Sequence, residues 1–328
     1  MKQVSKIGSN SAFLLVLRLA LPFFLLGSQA LIQAQEAGAA DPVVVREHWN
    51  AARLVAGDQW ADAFDFFCGP PPDDLDGSVS PILEPVQLFD NLYILGRSRT
   101  VVYALTTSEG IVLIDSGYPG QEESVLIPGL QDAGLDPNDI KLVIVAHGHR
   151  DHSGGSKFIQ DNYGAQVYVT EPDWAAVTES GGPSKDLVAQ EGKSIRLGDT
   201  EITPVLIPGH TPGGLGLIFE VQDGDTTHTA ALFGGTILAE GRISNAGLAQ
   251  YIDSLAHFSE KAEEMGVDVE IHNHPYFNNL EDRLASLADR LESEGHPFVI
   301  GTDSYQNFLA LMSECTKTEL AQRGAPIN

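Results

Sequence analysis

Residues 147–155 read His147-Gly-His149-Arg-Asp151-His152-Ser-Gly-Gly155, three imidazoles and a carboxylate within six positions. No other stretch restricts the fold as much. Side chains of this kind gather at one point where a loop is held open by a rigid element beneath it. The run before the cluster, Lys141 to Ala146, is apolar and β-branched, which predicts a buried strand. After it, Ser153-Gly-Gly155 leads into Ser156 to Tyr163, which has helical spacing. The cluster therefore belongs to a loop at the carboxyl end of a strand. A single structural metal has little use for four such ligands with no thiol among them. Two metals sharing the loop do.

The rest of the chain repeats the scheme. Short strands are predicted at Val86 to Phe89, Leu92 to Leu95, Val101 to Leu105 and Ile111 to Asp115, parted by turn residues. A helix from Glu122 to Ala133 follows, then the strand carrying the cluster, a strand at Ala165 to Val169 and a helix at Glu171 to Thr178. The second half has strands near Ser194 to Leu197, Thr200 to Pro208, Gly216 to Val221, Thr229 to Phe233 and Val267 to Ile271. A helix over Leu248 to Glu264 lies among them, and helices at Leu280 to Glu294 and Tyr305 to Leu320 close the chain. Pro42 to Phe67 is helical in spacing, and Gly69-Pro-Pro-Pro breaks it. Two halves of strands and helices, each delivering histidines from strand ends, predict the α/β class and an αβ/βα sandwich with the site at one edge.

Ten histidines sort against that expectation. His210 sits in Pro208-Gly-His-Thr-Pro-Gly-Gly214, a tight loop after a strand. His274 follows the Val267 to Ile271 strand, and its neighbour His272 competes for the same role. A lone histidine is more often a satisfied structural residue than a ligand; recurrence after strands reverses this for His210 and His274. His48, His228, His257 and His296 keep the structural reading.

A formal charge of −26 argues against nucleic acid and anionic membrane surfaces as partners, since both require basic patches. Lys2 and Lys6 precede an apolar stretch and small-residue sites near Ser28 to Ala30 and Ile32 to Ala34, the order of a secretory signal peptide over residues 1–34. Arg18 interrupts the apolar stretch and speaks against a permanent span. Cleavage removes three of 19 basic residues and none of 45 acidic ones, leaving −29. The expectation is a periplasmic or secreted protein that no longer meets a membrane. In an oxidising compartment the only two cysteines, Cys68 and Cys315, read as a disulfide, with two buried thiols as the alternative. Residues 35–80 are then a helical extension, 81–279 the domain carrying the site, and 280–328 a helical segment packed on it.

The motif series His147-Gly-His149-Arg-Asp151-His152, Gly209-His210-Thr-Pro-Gly213 and His274 resembles the metallo-β-lactamase superfamily, as does Leu113-Ile-Asp115-Ser-Gly117. The resemblance covers Val86 to Pro275. Carried over by position, it implies that His147, His149 and His210 bind one Zn2+, that Asp151, His152 and His274 bind a second, and that Asp115 lies behind the ligands. Many members carry a bridging aspartate after the strand that follows the second motif. Here that strand runs into Gly234-Gly-Thr236, with neither carboxylate nor cysteine. What remains is similar to the third subclass of class B β-lactamases, as is Asn245 to Asp253.

The chemistry implied is hydrolysis of a small molecule by a hydroxide generated on zinc, which brings the pKa of bound water toward ~7. Asp151 would orient that nucleophile and move its proton. An amide or β-lactam bond is the leading substrate. A lactone, thioester or other ester on the same fold is the alternative, and a non-catalytic metal-binding protein the third. No Gly-x-Ser-x-Gly elbow offers a serine route.

Overall fold

The computed structural model describes residues 39–70, 76–238, 242–291 and 294–327. The leader read at residues 1–34 lies outside them. Among the described residues no helix is long and apolar enough to cross a membrane.

Helices α1 (Pro42–Ala56) and α2 (Ala61–Cys68) come first. Strands β1 (Ile82–Phe89), β2 (Leu92–Arg97), β3 (Thr100–Thr107) and β4 (Gly110–Ile114) then form an antiparallel meander. From β4 onward the sheet grows in parallel, and each step needs a crossover. A π-turn at Glu122–Leu126 and α3 (Ile127–Asp132) lead to β5 (Ile140–Ile144). Helices α4 (Arg150–Ser153) and α5 (Ser156–Tyr163) lead to β6 (Gln166–Thr170), and α6 (Glu171–Glu179) leads to β7 (Leu187–Ala189).

A second sheet holds β8 (Ile195–Leu197), β9 (Thr200–Leu206), β10 (Leu215–Asp223) and β11 (Thr226–Phe233), all antiparallel. Helix α7 (Asn245–Glu264) crosses over to β12 (Val269–Ile271), which lies parallel to β11. Helices α8 (Leu280–Ala288) and α9 (Thr302–Gln322) follow.

Side-chain alternation builds the layers. Along β3, Val101, Tyr103 and Leu105 face the second sheet, while Val102 and Ala104 face outward, and all are buried. The inner layer joins Tyr103, Val112 and Ile144 to Leu217, Phe219, Leu232 and Ile271 of the other sheet. Outside the first sheet, Leu130, Ile159 and Trp174 of α3, α5 and α6 cover it. Outside the second, Ile218 and Phe233 pack on Phe258 of α7 and Phe308 and Met312 of α9. Each sheet is apolar on both faces, which is why its strands read as unbroken hydrophobic runs. This is the αβ/βα sandwich.

A disulfide joins Cys68, at the end of α2, to Cys315 within α9. The Trp60 indole also donates to the Ser304 carbonyl at 3.0 Å. Two expectations are corrected. Helical spacing to Glu294 overshoots, because α8 stops at Ala288 and the chain turns to fork Arg290 onto Asp223 at 2.7 and 2.9 Å. Strand β7 was not anticipated; three residues are too few to show a period.

Candidate metal centre

Three loops, all at strand ends on one edge of the sandwich, supply the site. β5 runs out at Ile144 and delivers His147; His149 caps α4, a single turn whose next residues include Asp151 and His152. The His149 carbonyl accepts the amide of His152 at 3.1 Å and of Ser153 at 3.0 Å, so Asp151 and His152 ride on a closed turn. His210 lies between β9 and β10, and His274 follows β12.

Nε2 of His147, Nδ1 of His149 and Nε2 of His210 form a triangle with sides of 3.1–3.2 Å. Ligand atoms of a tetrahedral zinc at about 2.0–2.1 Å stand roughly 3.3 Å apart, so the triangle fits such an ion with one position left open. His147 is fully buried, and burial together with the neighbouring imidazoles keeps it well below its ordinary pKa. The same causes bring His210 down to about 3. Both therefore present neutral nitrogens.

The second group makes the stronger case for a cation. Nδ1 of His274 faces the Arg99 carbonyl at 2.9 Å. A carbonyl only accepts, so Nδ1 carries the hydrogen and neutral His274 presents a bare Nε2. Nδ1 of His152 faces Asp115 Oδ2 at 2.7 Å. That carboxylate also accepts from the Ala146 amide at 2.8 Å and Asn273 Nδ2 at 3.2 Å. His152 thus presents a bare Nε2 as well. The two nitrogens stand 2.9 Å apart, with Asp151 Oδ2 at 3.3 and 3.4 Å. Three converging lone pairs repel unless a positive charge sits among them.

A proton is the only alternative to a metal. Burial disfavours it on His152, yet Asp151 and Asp115 push that imidazole up to about 10. Asp151 is held far below the usual carboxylate range: burial opposes this, and His152 and His274 override it. His274, buried and facing His152, falls to about 4.

Asp115 is buried and sits at φ +63°, a left-handed conformation that aspartate tolerates better than most residues. There it binds strand β5 and His152 together. Behind His210, Gly235 has φ +91°, and a Cβ on it would lie 2.7 Å from the imidazole. Hence the segment after β11 approaches His210 as bare backbone.

His272 does not join the cluster. Its ring lies between Phe277 and Phe308, with Nε2 2.6 Å from the buried carboxylate of Glu270, which Arg283 also meets at 2.9 Å. The remaining histidines each have a partner: Glu314 for His48, Asp268 for His228, Glu191 for His257 and the Leu88 carbonyl for His296. Sequence reasoning missed Asn273, the Arg99 carbonyl and Asp173. None carries a local signal, since their partners are remote in sequence.

The sequence profile of the metallo-β-lactamase superfamily matches residues 95–228. BJP-1, a subclass B3 metallo-β-lactamase of Bradyrhizobium japonicum, superposes with a TM-score of 0.64 at 27% identity, over 76% of this chain and 97% of that one.

The chain carries the metallo-β-lactamase fold, and its sequence is similar to that superfamily over residues 95–228.

FEZ-1 from Legionella gormanii, another metallo-β-lactamase, shares the fold with a TM-score of 0.65 at 23% identity, over 74% of this chain and 97% of that one. An N-acyl homoserine lactonase of a Bacillus species is 29% identical over 173 residues, 44% of this chain. The match spans 65% of that relative's length. His147, His149 and His210 form one group that could hold a metal ion, and Asp151, His152 and His274 a second.

Proposed function

We propose that the protein is an exported zinc-dependent hydrolase that opens the amide bond of a β-lactam ring. His147, His149 and His210 hold one zinc; Asp151, His152 and His274 hold the other; Asp115 and the Arg99 carbonyl fix the tautomers of the second pair. When bound, zinc supplies a Lewis acid for the carbonyl oxygen and water acidified toward neutrality.

The chain's own groups do the rest. Burial keeps His147 and His210 unprotonated, so no proton competes for their ligand nitrogens near neutral pH. Asp151, ionised and only partly covered, accepts the proton of the attacking water at a carboxylate oxygen and returns it to the departing ring nitrogen. The disulfide supports an oxidising compartment and hence export.

The observation that carries the substrate reading is the convergence of two groups of three potential ligands with no bridging carboxylate among the described residues, since Gly234-Gly-Thr236 follows β11. The likeness to BJP-1 supports it. The lactonase relative favours a second reading, a lactone in the same site.

A hydrolysis panel decides between them. It holds a penicillin, a cephalosporin, a carbapenem, an acyl-homoserine lactone and a thioester, each with chelator and with zinc restored. Turnover confined to the lactone would overturn the β-lactam reading.

A further inference from the structure

Among the described residues, the hydrogen bonds that orient His152 and His274 have no counterpart at His147 and His210. Nδ1 of His147 and of His210 is buried without a hydrogen-bond partner among the described residues. These two rings are therefore placed by the backbone beneath them, and that backbone is tied by one side chain. Asp173, in the first turn of α6, is 2% exposed. Its Oδ2 accepts the Gly148 amide at 2.7 Å and the Thr211 hydroxyl at 2.7 Å. Its Oδ1 accepts the Gly213 amide at 2.8 Å.

Gly148 lies between His147 and His149, on the loop of the first sheet. Thr211 and Gly213 follow His210, on the loop of the second. The approach is close: a Cβ on Gly213 would stand 2.7 Å from Asp173 Oδ1. An acidic residue in a first helical turn commonly serves its own helix terminus. Asp173 does not, because all three of these partners lie in the ligand loops.

We propose that Asp173 is a positioning residue for the three-histidine group. It bridges the two sheets' loops, sets the separation of His147 and His149 from His210, and touches neither metal nor substrate. The inference rests on the two-metal reading above, so its test reads metal binding and not turnover.

Asp173→Asn keeps the shape but turns an NH2 toward donors on one side, which frees one loop. Thr211→Val removes a single bond and serves as a milder variant. In the full chain, cobalt(II) and zinc are titrated against a chromophoric chelator, and thermal unfolding is followed with and without metal. Asp173→Asn weakens the first ion by roughly 10–100-fold, the range for losing an outer partner of a ligand, and leaves the second near wild type. Thr211→Val gives a smaller loss of the same sign, and keeps the test open if Asp173→Asn fails to fold. The metal-dependent rise in Tm shrinks in both. Two wild-type affinities in both variants, with apo and loaded Tm lowered equally, overturn the proposal, as does equal weakening of both ions. A wild-type chain that binds neither metal overturns the functional reading and this one together.

Discussion

Asp115→Asn separates the orientation of the second metal pair from everything else that Asp115 does. Asparagine tolerates the left-handed φ of +63° at least as well, so the backbone is left alone. Three donors converge on the two carboxylate oxygens: the Ala146 amide on Oδ1, His152 Nδ1 and Asn273 Nδ2 on Oδ2. An amide offers one acceptor oxygen. If its NH2 faces Ala146, a buried backbone donor goes unmatched, at about 1–3 kcal/mol. If it faces His152, the ring must switch tautomer and place its hydrogen on Nε2, the ligand atom. On either route the second ion loses roughly 10–100-fold in affinity, or about 1.4–2.7 kcal/mol. Competition titration of zinc against a chelator of known affinity, with cobalt(II) spectra to separate the two sites, measures it. An Asp115→Asn chain that binds its second ion as tightly as wild type refutes the assignment of Asp115.

Other outcomes follow from the same geometry. His274→Ala loses the second ion, whereas His272→Ala keeps both and loses stability, because it leaves Glu270 and Arg283 in a disrupted buried cluster; metal content and urea midpoints report the two effects. The metal-free protein is most stable near pH 6.5. Below it, unfolded imidazoles take up protons that His210 at about 3 and His274 at about 4 refuse, so stability is lost as pH falls; above it, the contribution of His152, raised to about 10, is lost as pH rises. A urea midpoint that rises from pH 6.5 to pH 4.5 contradicts this. Replacing Cys68 and Cys315 together by serine lowers stability by about 2–5 kcal/mol, since the bond closes a long loop with a separation of 247 residues. An unchanged midpoint in urea, with and without reductant, argues against that link.

The parts of the site that could be read from sequence are those whose spacing is local. His147, His149, Asp151 and His152 share one loop, so their convergence needs only the strand before them. His210 and His274 needed the recurring strand-then-histidine pattern. The choice between His272 and His274 stayed open because it depends on where β12 ends and on a carbonyl from the β2–β3 turn, Arg99, 175 residues away. Asp173 was illegible for the same reason: its partners lie 25, 38 and 40 residues off. The sandwich showed through its doubly buried strands, while α8 was overextended because periodicity does not register the pull of Arg290 toward Asp223.

The two-metal centre is tested most directly by zinc content and β-lactam turnover measured on the same purified chain. About two zinc ions per chain, turnover abolished by chelation and recovered as zinc is returned, is the predicted result. Undiminished turnover in a chain stripped of metal, or a fully active chain with no more than about one ion, contradicts it.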